Sequence, residues 1–331
     1  MNLDEILKKF SVVAMTNIAN QLKAAPHFAM DKFYKTKKGV VGDSVDIIIK
    51  RGAGVVLESV SANASHLVTK TDDAYIVTVS LPRFPLVDKI NASDINSLRS
   101  LNSEKAVTES LSVKIAEILK SQKDSIDTTL EYMAIGSLFG KILDGKGQEL
   151  FSFVSRKQGV QLSKKSSGNG AKTLIETLNE VDERLISEFG VNPGYEVLCG
   201  YGFLANLVNK ANEEELFKAG IAKWSEEGNL RVLNIYGTDF RPYSAKYKNT
   251  KGEAKDFMDT DKAKVIPKST EPFTLYYGRA NHVDALGLAP KLYFSAAPEK
   301  LDKGQGYAIV SETKAIPICN RPDALIELSF K

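Results

Sequence analysis

Residues 104–135 read EKAVTESLSVKIAEILKSQKDSIDTTLEYMAI, and this stretch decides the fold. It contains neither Pro nor Gly. Val107, Leu111, Ile115, Ile118, Ile126, Leu130 and Met133 recur at helical spacing, with Gln122 as the one polar break in the stripe. At 1.5 Å per residue such a helix is roughly 45 Å long, more than a compact enzyme of this size uses. It reads as a beam across which other elements lie. The break at Gln122 points to a place where the beam crosses a domain edge or meets a partner. Gln122→Leu is then expected to spare the isolated subunit, whereas polar substitution of Ile115 or Ile118 is expected to damage it.

Strand-like runs surround the beam. Upstream, a mildly amphipathic helix over residues 3–22 precedes Pro26 and the basic stretch KFYKTKKG, and reads as a loose arm held by a partner. VDIIIK at 45–50 and the alternating run 75–81 are strands, the second ended by Pro82 and Pro85. Between them, residues 55–73 carry few large hydrophobics. An extended hairpin spanning 40–85 fits, and as a free ribbon it is marginal without neighbours. Downstream, Asp144-Gly145-Lys146-Gly147 joins strands 138–142 and 149–154 into a hairpin. A Gly/Ser-rich connection follows to about 172.

Thr173 with Glu176 forms a capping-box pattern for a helix closed by Gly190. A strand at 195–199, a helix at 202–209, a second capped helix over 213–224 from Asn212 and Glu215, and a strand at 231–236 give the order α-β-α-α-β of a mixed domain. Residues 238–270 read as irregular before a strand at 273–277. Apolar runs at 292–295, 307–318 and 324–330 tie the C-terminal residues into a sheet.

With 331 residues, 43% of them hydrophobic, the chain can bury two or three cores. Lys plus Arg is 44 and Asp plus Glu is 41, a net charge of +3 that argues against a dedicated nucleic-acid binder. Cys199 and Cys319 are too few for a disulfide framework, which fits a reducing compartment. No signal peptide and no membrane span is expected.

Possible reaction centres are sparse. Gly168, Gly170, Lys172 and Thr173 resemble part of a phosphate loop at the wrong spacing. Gly52 and Gly54 lack the third glycine of a dinucleotide fingerprint. His27, His66 and His282 have no metal-ligand spacing. Arg279, His282 and Asp284 lie close enough for acid–base chemistry, but a locally hydrogen-bonded turn explains them more simply. Cys199 follows a strand and precedes two glycines, yet no base is near it. Lys35, Lys37 and Lys38 beside Phe33 and Tyr34 form the single basic–aromatic patch, which reads as a charged hinge more readily than as a single-strand platform. No catalytic residue, metal or cofactor is expected.

Three phrases carry a family likeness: SLPRFPLVDKINASDINSLRS (80–100), YMAIGSLFGKILDG (132–145) and the ending AIVSETKAIPICNRPDALIELSF. In order and wording the chain resembles the major capsid proteins of tailed double-stranded DNA phages, of the lambda-type capsid protein E family. The resemblance implies the Hong Kong 97-type α+β fold. Its parts would be an N-terminal arm (1–36), an extended loop (37–97), a peripheral domain (98–169) with a spine helix over 102–135, an axial domain (170–287), and C-terminal strands (288–331) completing the peripheral domain. It implies self-assembly into pentamers and hexamers of an icosahedral shell. The implied partners are portal, scaffold or decoration proteins and packaged DNA held by weak non-specific contact. The implied location is the virion, and the host cytoplasm during assembly. Lys70 lies in the loop and is assigned no crosslink. The alternatives are a same-fold cage such as an encapsulin or gene transfer agent capsid, a phage tail component, and an α/β enzyme using His282 and Asp284.

Overall fold

The computed structural model describes residues 10–22, 27–53, 74–99, 104–153, 159–164, 171–228, 230–249 and 251–331. Along the chain come α1 (Val12–Gln21), α2 (Phe28–Lys32), β1 (Thr36–Val40), β2 (Ser44–Ile49), β3 (Tyr75–Ser80), β4 (Arg83–Asn91), α3 (Ala92–Arg99) and the beam, α4 (Glu104–Leu138). Next are β5 (Lys141–Leu143), β6 (Glu149–Ser152), β7 (Val160–Leu162), α5 (Leu174–Phe189), β8 (Tyr195–Cys199) and α6 (Tyr201–Glu213). Strands follow: β9 (Ala222–Glu227), β10 (Leu230–Ile235), β11 (Thr238–Pro242), β12 (Lys246–Lys248), β13 (Ala254–Asp256) and β14 (Ala263–Pro267). The last are β15 (Phe273–Gly278), β16 (Phe294–Ser295), β17 (Glu299–Lys300), β18 (Gly306–Cys319) and β19 (Ile326–Phe330).

The chain forms two compact units. The first comprises Met1–Val45, Thr78–Ala134 and Thr274–Ile318, and the second Asp46–Val77, Ile135–Phe273 and Cys319–Lys331. In the first, β18 organises a six-stranded sheet, pairing with β15, β16, β17 and β4, while β1 adds parallel to β15. The β4–β18 ladder runs from Arg83 opposite Lys314 to Asn91 opposite Gly306. Leu111, Ile115 and Leu119 of α4 bury against Ile90, Tyr307, Ile309 and the Met15 side chain of α1. The stripe therefore runs 111–115–119 at four-residue steps, and Ile118, expected on it, is only partly buried. The arm is not loose over the described residues. The Thr16 hydroxyl donates to the Ser295 carbonyl at 3.0 Å, the Asn20 amide donates to the Tyr293 carbonyl at 2.8 Å, and Met15 is fully buried.

A row of buried polar groups crosses the same helix. Gln122 donates from Nε2 to Asp88 Oδ2 at 2.8 Å and to the Ile309 carbonyl at 2.9 Å. Lys123 Nζ lies 3.8 Å from Asp127 and 3.5 Å from the Tyr293 ring centroid. Burial pushes the Lys123 pKa down, with Asp127 opposing. The Tyr293 hydroxyl donates to Asp127, and burial followed by that carboxylate raises the phenol's pKa. The Glu131 carboxylate accepts the Ala29 and Met30 amides at 2.9 Å each, at the start of α2. This overturns the expectation for Gln122: it sits at no domain edge but is buried within the first unit, fastening α4 to β4 and β18.

The second unit holds a seven-stranded sheet in the order β7-β19-β14-β8-β11-β10-β9. The capping box at Thr173 and the left-handed Gly190 bound α5, whose Leu174, Leu178, Val181 and Leu185 enter the core with Phe203 and Leu207 of α6. The hairpin β5–β6 forms at the expected turn, with Asp144 Oδ1 accepting the Lys146 and Gln148 amides at 2.8 Å, but Leu138, expected in its first strand, ends α4, and the strands run only over Lys141–Leu143 and Glu149–Ser152. The expected helix over 213–224 does not exist. Helix α6 runs through Asn212 to Glu213, Glu215 takes φ +53°, and the Leu216 amide turns back to the Ala211 carbonyl at 2.9 Å. Leu216 and Ala222 drop into the core, and Trp224 lies on β9. The segment read as irregular supplies β11 and β14, which flank β8 at the sheet's centre. The Gly/Ser-rich connection contains β7, which pairs parallel with β19. Residues 288–331 do not stay together: β19 belongs to this second sheet, and the division falls after Ile318. Strands β2 and β3 form a separate two-stranded ribbon, and the 55–73 segment beyond it lies outside the described residues.

Gln122→Leu should therefore destabilise the isolated subunit by about 1–3 kcal/mol, because it leaves the buried Ile309 carbonyl without its donor. Ile115→Ala should cost about 2–5 kcal/mol through the cavity it opens. Urea denaturation of dissociated subunits checks both; a neutral Gln122→Leu would show that these hydrogen bonds do not form.

Candidate functional site

The His282 cluster does not converge on a reaction centre. His282 caps the short 3-10 turn Val283–Ala285, its Nδ1 accepting the Asp284 amide at 3.2 Å while Nε2 lies 3.0 Å from Glu299 Oε1. The Asp284 carboxylate stays 3.8 Å from Nδ1. Arg279 turns elsewhere, into a hollow of about 210 Å³ with Val13, Leu288 and Phe294. Both imidazole nitrogens thus serve local structure, which is the turn reading, and the enzyme alternative loses its pair.

Cys199 is fully buried, with Sγ 3.4 Å from the Arg241 carbonyl, and burial pushes its pKa up to about 12. Cys319 is raised to about 12 by the same cause. Neither forms the thiolate that nucleophilic chemistry needs. The glycines after Cys199 have a packing reason. A Cβ at Gly200 or Gly202 would collide with Thr260 or Asp261, which cross the start of α6, where the Phe203 amide donates to the Thr260 carbonyl at 2.9 Å.

The other motifs resolve in the same way. Thr173 accepts the Glu176 amide while its own amide donates to Glu176 at 2.8 Å, and the Leu174 amide donates to Glu214 at 3.1 Å. The chain's own carboxylates thus fill the anion position at the α5 N-terminus. Gly168, Gly170, Gly54, His66 and Lys70 lie outside the described residues. Gly52, at φ +70°, donates its amide to Glu188 at 3.0 Å. In the basic patch, Phe33 and Tyr34 are buried and only the lysines face out, so no aromatic platform for bases exists there. Among the described residues no three of His, Cys, Asp and Glu are grouped to hold a metal, and no helix is long and apolar enough to cross a membrane.

A groove of about 790 Å³ in the second unit is lined by Phe139, Lys172, Glu180, Arg184, Lys264 and Glu327 among others. Lys172 and Arg184 both pair with Glu180, at 2.7 and 2.6 Å. Lys264, 6% exposed, points its ammonium over the Phe139 ring at 5.5 Å, and burial pulls its pKa down to about 8 against the opposing pull of Glu327. The groove is polar and self-paired, with no nucleophile and base in contact.

A family model described as phage major capsid protein E matches residues 11–330. No curated protein matches the chain. Among solved structures, it is similar to a prophage protein of Escherichia coli CFT073 assigned as a capsid protein, with TM-score 0.63 and 12% identity over 97% of this chain and 99% of that one. It is also similar to a chain of the capsid of the cyanophage P-SCSP1u, with TM-score 0.49 and 12% identity over 94% and 90%. A phage-related protein from Bordetella bronchiseptica RB50 gives TM-score 0.47 and 9% identity over 95% of each chain.

Lys264 has a measurable consequence for stability. Between its folded pKa of about 8 and its ordinary value of 10.5, the unfolded chain binds a proton that the folded chain does not. Stability should rise with pH across that window, and the full penalty should apply below it. Lys264→Met should be more stable than the parent at pH 7 by about 1–3 kcal/mol, with the gap closing as pH approaches 10.5. Chemical denaturation of both proteins at pH 7 and 10 reads this, and a gap that does not change with pH would refute it.

Proposed function

The chain belongs to the phage major capsid protein E family, and from that premise we propose that its copies close into pentamers and hexamers of an icosahedral shell around double-stranded DNA. The match over residues 11–330 carries this reading. The coarser statement, that it is a shell-forming structural protein, follows from the family. In the finer reading, residues 1–36 are the arm and 37–97 the extended loop. The peripheral domain then holds most of α4 with the β18 sheet, and the axial domain the seven-stranded sheet, so that the closing strands β18 and β19 divide between the two. Exposed Ile48 and Ile76 on the β2–β3 ribbon support an interface role for the loop, because apolar side chains held in water stabilise nothing until a neighbour covers them. The net charge of +3 suits a wall that touches packaged DNA weakly and without sequence preference. Portal, scaffold or decoration proteins complete the particle, assembled in the host cytoplasm and released as virions.

Negative-stain microscopy of the expressed chain should show closed icosahedral particles, and particles from induced host cells should carry nuclease-protected double-stranded DNA. Filaments, or monomers at every concentration, would defeat the shell reading. Closed particles filled with a protein cargo would identify a non-virion cage instead. Deleting residues 55–73 should leave a folded, soluble subunit that no longer assembles; normal shells from that variant would remove the loop from the interface.

A further inference from the structure

The seven-stranded sheet of the second unit has two unlike ends. At the β9 end, a groove of about 580 Å³ lies between α6 and strands β9–β11, lined chiefly by Tyr201, Leu204, Val208, Trp224, Leu230 and Arg231. Tyr201 is 54% and Trp224 47% exposed, large apolar areas for a subunit to leave in water. Arg231 is the one charged residue among those lining it. Trp and Arg are also the residue types that carry most of the energy in protein contacts.

At the other end, α5 packs against β7. Its inner side chains fill the core, while Ile175, Asn179, Glu183 and Ile186 form an exposed outer stripe at helical spacing. The helix is acidic, with Glu176, Glu180, Asp182, Glu183 and Glu188 against the single cation Arg184. Six strand spacings of about 4.8 Å put β7 roughly 29 Å from β9, and α5 lies on the far side of α6 from the groove's strands, its Leu174 amide donating to Glu214 at the end of α6 at 3.1 Å.

We propose that the two ends are the halves of one head-to-tail contact between copies of this chain: the outer stripe of α5 lies in the β9-end groove of the next copy, with Ile186 against Trp224 and Glu183 on Arg231. The inference rests on the shell reading and names the surfaces that would join neighbours within a ring. Charge complementarity selects a second copy as the occupant, since the groove offers one cation in an apolar bed and the stripe one carboxylate between two aliphatic side chains. The placement selects the geometry. A pairing of unlike patches repeated in one direction is a heterologous contact, which passes from copy to copy and closes a ring when the rotation between copies allows it.

The only tryptophan in the sequence reports on this contact directly. In full-length protein, assembly should shift Trp224 emission to the blue and cut its quenching by acrylamide several-fold. Arg231→Glu and Glu183→Arg should each raise the concentration needed for assembly about tenfold, a change of about 1.4 kcal/mol, and the double variant should recover most of that loss. Unchanged circular dichroism and melting of the dissociated variants exclude misfolding. If particles form while Trp224 stays as accessible as in the monomer, or if the double variant does no better than the singles, the contact is wrong and the shell reading stands. If Trp224 becomes protected only when another phage protein is added, the occupant is not a second copy. If the parent chain forms no closed particles, the shell reading falls and this contact with it.

Discussion

Burying charge and amide groups along a helix is costly unless each finds a partner, and the first unit is organised around meeting that requirement on α4. Gln122, Lys123, Asp127 and Glu131 fall within about three turns of the beam. Their partners come from four separate parts of the chain: Asp88 on β4, Ile309 on β18, Tyr293 before β16, and the amides opening α2. The apolar stripe through Leu111, Ile115 and Leu119 supplies most of the burial but would tolerate a slip of one turn, since aliphatic contacts are not directional. The polar row would not. Moving α4 by a turn would strand a carboxylate or an ammonium in a site with no counterpart. Oil on this helix gives stability, and the polar groups fix its register.

The same logic explains why features that look chemical prove to be structural. His282 closes a turn, Thr173 and Glu176 close a helix end, and the glycines after Cys199 let another segment pass over α6. Each polar group is used up by a neighbour on its own chain. Large apolar side chains meanwhile stay on the surface: Ile48 and Ile76 on the ribbon, Trp224 and Tyr201 at one end of the second sheet, Ile175 and Ile186 on the outer side of α5. Apolar side chains held in water suit contact with protein, which accords with membership of a capsid family.

Much of this was legible in the sequence, and the failures have physical causes. The beam, the capped helix α5 and the DGKG hairpin were plain because local pattern and tertiary role agree there. Strands β11 and β14 were missed because Asp239, Arg241 and Lys264 break the apolar alternation. In the fold Arg241 is buried beside Glu196 and Glu227, and Lys264 sits against Phe139. The false helix at 213–224 came from a real capping pattern at Asn212 that α6 overrides by running through it. Gln122 was misplaced because a lone polar residue in an apolar stripe looks the same whether it meets water, a neighbour or a buried carbonyl. The β9-end groove and the outer α5 stripe left no local signal, since both arise from strand order.

The pairing of β4 with β18 sets a timetable for synthesis. Arg83 emerges from the ribosome 231 residues (314 − 83) before its ladder partner Lys314. At about 5–20 residues per second, the edge of β4 waits roughly 12 to 46 s for the strand that completes its sheet. All of the second unit's core up to β14 is translated in that interval. At that stage both units are unfinished, because the second still lacks β19, which lies between β7 and β14 in its sheet. Each unit thus closes on a strand late in the order of the sequence, the first on β18 and the second on β19, and neither can complete its sheet much before the other.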